Sequence, residues 1–389
     1  MKAKTWLLLA LASFLGSGAS LREAPKPGIA ANKRDMQAIV DHAVAGFVSN
    51  PKHVGLSIGV SCAGKRTFYN YGRVAGTSSP APTEKTIYEI ASLTKSFTGL
   101  LLAQAVIDGK IGLHDEVQTY LGPAYANLAY HGRAIRLVDL ANHTSGLPKN
   151  VPALPSGVSP REMMAQYADF SEEAFLREIR RVVPDTVPGT RFAYSNAGTQ
   201  LLGIVLQRVY HTSYGQLVRR YITRPHHMRD TELAVKPRQH PRCAQGYNAA
   251  GEPMPELTFW RTVPAAGFLK STTRDLLAYA EWNLNEQDPV VALAHQPTFR
   301  HTTEANADIG LCWFVTPEGP GERQVHHAGG SFGTTSYCLL SPAGRTGIVC
   351  LANDAGPTTE QELRDLSQQI LAGLGQLSAA STPPAGAPK

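Results

Sequence analysis

Ser92 and Lys95 stand three residues apart in Ala91-Ser92-Leu93-Thr94-Lys95-Ser96-Phe97-Thr98-Gly99. The segment beyond Lys95 has helical periodicity: Phe97, Leu100, Leu101, Ala105 and Val106 are apolar, and Asp108-Gly109-Lys110 supplies a stop. Residues three apart share a helix face, so the Lys95 ammonium can reach the Ser92 hydroxyl. A serine is a weak nucleophile until a neighbouring base takes its proton, and a partly desolvated lysine can act as that base. Orphan N–H groups at the helix start would stabilise an oxyanion. The pair points to covalent acyl transfer. Spacing alone is weak, because Ser49-Asn50-Pro51-Lys52 repeats it ahead of a strand-like segment. A helix-capping serine beside a surface lysine would also look the same.

Two further stretches carry chemistry. In Pro188-Gly189-Thr190-Arg191-Phe192-Ala193-Tyr194-Ser195-Asn196, Tyr194 can hand a proton to a leaving group. Asn196 can hydrogen-bond Lys95 and a substrate amide. In Val325-His326-His327-Ala328-Gly329-Gly330-Ser331, glycines on a strand let backbone approach a substrate closely. Tyr125-Ala126-Asn127 and His53-Val54-Gly55 show that the short patterns also arise by chance.

These groups need a frame. Residues 35–48 read as an amphipathic helix, and Val54 to Val74 alternates about Ala63-Gly64-Lys65 as a β-hairpin. Helices are expected near 94–108, 134–142, 172–181, 196–209, 213–222 and 273–283, with a Pro-rich loop from Leu147 to Pro160. Strands return at 310–315, 324–327, 335–340 and 347–351, before a closing helix over 359–374. The fold class is α+β: an antiparallel sheet from N- and C-terminal segments, with a mainly helical region at about 97–262 inserted. A groove between sheet and helices is the natural place for a site.

Of the 389 residues 43% are hydrophobic and 17% charged, an ordinary globular balance. Lys2, Lys4, the apolar run from Trp6 to Leu15 and the small residues 16–20 read as a secretory signal peptide over 1–20. A polar leader then spans 21–34, the domain 35–375, and a disordered tail 376–389. The expectation is an exported protein, periplasmic in a Gram-negative host, without membrane anchor and monomeric. The net charge of +6 would fall to +4 with the signal, and its cations read as dispersed, which argues against a nucleic-acid partner. None of the five cysteines has metal-ligand spacing, so no metal or cofactor is expected. Cys338 and Cys350 flank a turn and could face each other across a hairpin, or be buried as small hydrophobes.

In order and context the three motifs resemble the penicillin-recognising serine hydrolases of the class C type: AmpC-type β-lactamases, AmpH-type DD-peptidases and related esterases. Tyr88-Glu89-Ile90-Ala91, Leu140 to Pro148 and Gly267-Phe268 support the likeness. The resemblance implies a β-lactamase/transpeptidase-like fold with Ser92 as acylated nucleophile. Lys95 and Tyr194 share the proton work, either being the acylation base. Asn196 orients Lys95 and substrate, and the backbone N–H groups of Ser92 and Gly330 form the oxyanion hole beside Gly329. Asn150 stands where AmpC-type enzymes place a substrate-contacting glutamine. The third motif departs from Lys-Thr-Gly, reading His327-Ala328-Gly329. Ala328 lacks a hydroxyl, and His327 is cationic only near or below about pH 6.5 unless its surroundings shift it. The implied substrate is a β-lactam or a D-Ala-D-Ala peptidoglycan stem, with an ester or a slow penicillin-binding sensor as alternatives.

Overall fold

The computed structural model describes residues 33–258, 262–300, 307–319 and 322–380. The expected signal peptide, most of the leader and the last nine residues lie outside the described residues. Among those described, seven strands form one antiparallel sheet in the order Lys65–Gly72, Gly55–Cys62, Thr346–Ala352, Thr335–Ser341, Glu322–Gly330, Phe314–Gly319, Asp308–Ile309. The N-terminal hairpin thus joins the C-terminal strands through the register Ile58 to Cys350.

Side chains alternate across this sheet with the period of two that a pleated strand imposes. Tyr337 and Leu339 point to one face, where Lys33–Ser49 and Thr359–Ala380 cover them with Val40, Val44, Leu363 and Ile370. Cys338 and Leu340 point to the other, into the core shared with Thr94–Ile107, Asn196–Tyr210 and Thr273–Asn283. The alternation also decides the cysteines. Cys338 pairs with Val349 and Cys350 with Tyr337, so the two thiols sit on opposite faces and do not meet. All five cysteines are free.

Several boundaries move. The helix expected over 134–142 shortens to Leu137–Ala141, because Arg133–Ala134 pairs with Ala129–Tyr130. The strand expected at 310–315 begins only at Phe314; Gly310–Trp313 is a turn with Cys312 at φ +57°. The closing helix runs on to Ala380, past the expected tail boundary. Short helices at Val117–Leu121, Pro160–Gln166 and Pro289–His295 were not legible. The chance motifs turn out structural. Asn127 ties down the backbone oxygens of Ile179 and Val182, and His53 bridges Asp354 and Glu362.

Candidate active site

Ser92, the expected nucleophile, sits in a single 3₁₀ turn, Ala91–Leu93, that leads into the helix Thr94–Ile107. Ala91 is held at φ +45°, a conformation costly for a residue with a Cβ. Neighbouring backbone fixes the turn: Ile90 N–H donates to the Leu269 carbonyl at 3.1 Å, and Leu269 N–H to Thr94 Oγ1 at 3.1 Å. The strand Glu322–Gly330 closes on it from the other side. A Cβ at Gly329 would stand 2.3 Å from the Ile90 oxygen and 2.8 Å from the Leu93 nitrogen, so only glycine fits. Gly329 is therefore a packing residue at the nucleophile turn. Gly330, next along, is exposed, with no atom within 4 Å of where a Cβ would be.

Lys95 is completely buried, and its Nζ donates to Ser92 Oγ at 3.0 Å and to the Ala266 carbonyl at 2.6 Å. Burial disfavours the ammonium and brings its pKa down to about 7, with the nearby Lys149 charge adding to the effect. At neutral pH this amine is a competent proton acceptor for the serine.

Tyr194 closes the other side. Ser195 caps the helix Asn196–Tyr210 by accepting from Gly198 N–H at 2.9 Å, while its own hydroxyl donates to the Pro148 carbonyl at 2.7 Å. Tyr194 thereby projects its ring 4.8 Å from Lys95 Nζ. Burial holds its hydroxyl protonated, against a hydrogen bond with Ser92 that draws the other way. Its ring leans on His143 at 4.4 Å between centroids.

Asn196 reaches the site but does not bond Lys95, whose contacts go to Ser92 and Ala266. Its Nδ2 donates instead to Asn150 Oδ1 at 2.8 Å. The two asparagines lock the loop after Leu147 onto the helix start, together with Asn196 and Ala197 N–H donating to the Lys149 carbonyl at 2.8 and 3.2 Å. Lys149 then presents an exposed side chain with no ion pair among the described residues.

The surroundings of His327 do shift it. It is 2% exposed, and its Nδ1 lies 2.6 Å from the Ala328 oxygen. A carbonyl only accepts, so Nδ1 carries the proton and Nε2 is a bare lone pair, without partner among the described residues. Burial and the Lys95 charge push its pKa down to about 3. His327 is neutral at any physiological pH and supplies no cation.

Three participants had no role assigned from sequence. The Ala266 carbonyl holds Lys95, Lys149 sits beside Asn150, and buried His143 accepts from Ser195 N–H through Nδ1 at 3.2 Å. Burial, with the Lys95 charge adding to it, holds His143 neutral as well.

With this geometry in view, the comparisons are decisive for lineage. A family model described as Beta-lactamase matches residues 39–372. The chain belongs to the beta-lactamase family. Among relatives, a Providencia stuartii protein named "Beta-lactamase" is 30% identical over 270 residues, covering 68% of this chain and 64% of that one. "Protein flp" of Staphylococcus aureus (strain MRSA252) is 28% identical over 314 residues, covering 78% and 59%. The chain thus spans about three fifths of the length of these curated relatives. Among solved structures, a class C beta-lactamase superposes with TM-score 0.73 at 23% identity, covering 88% of this chain and 98% of that one. A "Beta-Lactamase/D-Alanine Carboxypeptidase" from Pseudomonas syringae does so with 0.71 at 22%, covering 87% and 98%. These likenesses give the fold: class C β-lactamase-like, with mixed helices and an antiparallel sheet.

Proposed function

We propose that this chain is an exported serine hydrolase that works through an acyl-enzyme on Ser92, with the β-lactam amide as its leading substrate class. The observation that carries the proposal is the buried Lys95 amine, 3.0 Å from Ser92 Oγ with a pKa near 7. Neutral Lys95 takes the Ser92 proton as Oγ attacks the carbonyl. The backbone N–H groups of Ser92 and Gly330 receive the oxyanion, an interaction whose loss typically costs 10²–10³ in rate. Tyr194, held protonated, gives its proton to the departing nitrogen as the carbonyl reforms and regains one from the Lys95 ammonium, which restores both groups. Water then repeats the sequence on the Ser92 ester and releases the acid. The names of the relatives and the three convergent side chains support this reading, and the apolar run after Lys4 supports export.

A D-Ala-D-Ala peptide offers the same carbonyl geometry and is the alternative within this class. The neutral His327 favours a second reading, carboxyl-ester hydrolysis, because an ester needs no cation to hold a substrate carboxylate.

Incubating the protein with a chromogenic cephalosporin, following colour and intact mass, tests all three. Fast colour without a lasting adduct supports β-lactam hydrolysis. A stoichiometric, long-lived adduct on Ser92 supports the peptidase. Neither, with turnover of a nitrophenyl ester that Ser92→Ala abolishes, supports the esterase. Hydrolysis retained by folded Ser92→Ala would refute the acyl-enzyme.

A further inference from the structure

Within the net charge of +6, the stretch 219–238 gathers five cations around one hollow of the fold. Beside Leu269 lies an open pocket of about 650 Å³, lined by the exposed side chains of Arg219, Arg224, Arg229, Lys236 and Arg238 against the single carboxylate Glu232. Lys236 is paired with Glu232, whereas the four arginines carry no ion pair with any described residue. Segments far apart in character build this wall. Arg219 opens a π-helical turn, Arg219–Thr223, that continues the helix Tyr214–Val218. Arg229 follows His227, which turns the chain at φ +57°, and Arg238 stands in the 3₁₀ segment Pro237–Arg242. Val218, Met228 and Leu269 supply an apolar floor.

Four unpaired guanidinium groups around one hollow repel one another and raise the local concentration of anions. A single carboxylate would leave most of that charge uncompensated. A guanidinium presents five donors in a planar fork, which matches the oxygen-rich face of a phosphate bidentately. Lys236 is already occupied by Glu232, so the unpaired Lys and Arg cations of the lining are all guanidinium groups. We infer that this cavity is a binding site, separate from Ser92, for an anion carrying two or more phosphate groups. The apolar floor leaves room for an organic portion of the ligand. The site abuts the catalytic scaffold through Leu269, whose backbone bonds Ile90 and Thr94 on either side of Ser92, but shares none of the reacting groups.

The test uses the full protein and sodium tripolyphosphate in isothermal titration calorimetry at about 20 and 200 mM salt. Saturable one-site binding is expected at low salt, weakened about tenfold or more both by the higher salt and by the double variant Arg219→Gln/Arg229→Gln. Hydrolysis of the chromogenic substrate should be unchanged in that variant, which controls for folding. Butanetetracarboxylate, which carries a comparable charge on four carboxylates near neutral pH, should bind at least tenfold more weakly. Vesicles of phosphatidylglycerol form the second arm, with phosphatidylcholine as blank. Sedimentation with them, displaced by tripolyphosphate, supports the site with a lipid headgroup as its source of phosphate. Tripolyphosphate binding without sedimentation supports it with a free oligophosphate. No saturable binding at low salt, equal affinity in the double variant, or equally tight butanetetracarboxylate would each overturn the inference.

Discussion

The depressed pKa of Lys95 makes a quantitative demand on the pH profile. In the free enzyme the reactive form carries a neutral amine, so kcat/KM should follow the deprotonated fraction of Lys95. With a pKa of about 7 that fraction is about one half at pH 7, roughly one in eleven at pH 6 and about one in a hundred at pH 5. The acid limb should therefore have unit slope, and kcat/KM should fall about fifty-fold from pH 7 to pH 5. Neither active-site histidine can imitate it. His327 titrates at about 3, and His143 is held well below its usual range. A cephalosporin is a suitable substrate, because its carboxylate does not titrate in this window. Two variants sharpen the assignment. Lys95→Arg retains a cation that cannot deprotonate near neutrality, so activity should drop by 10²–10⁴. Lys149→Ala removes a charge that helps depress Lys95, so the limb should move to higher pH. A profile flat from pH 5 to 7, or a limb that persists unchanged in Lys95→Arg, would refute Lys95 as the acylation base.

Tyr194→Phe should lower kcat by about 10²–10⁴ with little change in KM, since it removes a proton donor and not a binding contact; single-turnover kinetics would check this. Lys149→Ala should also raise KM for an anionic cephalosporin several-fold at low salt while leaving a neutral ester unaffected; equal effects on both would rule out charge recognition. Gly329→Ala forces a methyl group onto the Ile90 oxygen and the Leu93 nitrogen, and should cost on the order of 1–3 kcal/mol, read from the urea midpoint, together with a loss of activity. His53 is a stability switch away from the site. Burial works against its charge, but the hydrogen bond and charges of Asp354 and Glu362 prevail and raise its pKa. Its contribution is complete below its unfolded value near 6.5 and fades as pH rises through the raised folded value. The Tm gap between wild type and His53→Gln should thus be wide at pH 6 and narrow at pH 9, and a gap that widens with pH would contradict the pairing.

What the sequence could disclose was what is local or periodic. Ser92 and Lys95 are three residues apart at a helix start, so their proximity is local, although the 3₁₀ turn that holds Ser92 is fixed by Leu269 and Gly329. Tyr194 and Asn196 are legible for a similar reason: Ser195 caps the helix that begins at Asn196, and the residues around a cap are fixed in direction. The alternating strands follow from the pleat. The remainder depends on burial and on backbone from elsewhere. The Ala266 carbonyl that holds Lys95 belongs to a residue whose side chain says nothing of the contact, 171 positions away. The protonation of His327 is decided by a 2% exposure that no local pattern encodes, which is why a residue type able to carry charge is neutral here. Lys149 shows the same limit from the other side. It looks like any surface lysine until the Asn196–Asn150 bond and the Lys149 carbonyl pin its loop to the helix start beside Tyr194. The cation that Lys-Thr-Gly would place in the third motif is therefore absent from the strand, and an unpaired ammonium stands on the loop after Leu147, near enough to act on Lys95. Under the proposed acyl-enzyme mechanism, the Lys149→Ala comparison of an anionic with a neutral substrate measures whether that ammonium selects, since the acylating groups alone treat every suitably placed carbonyl alike.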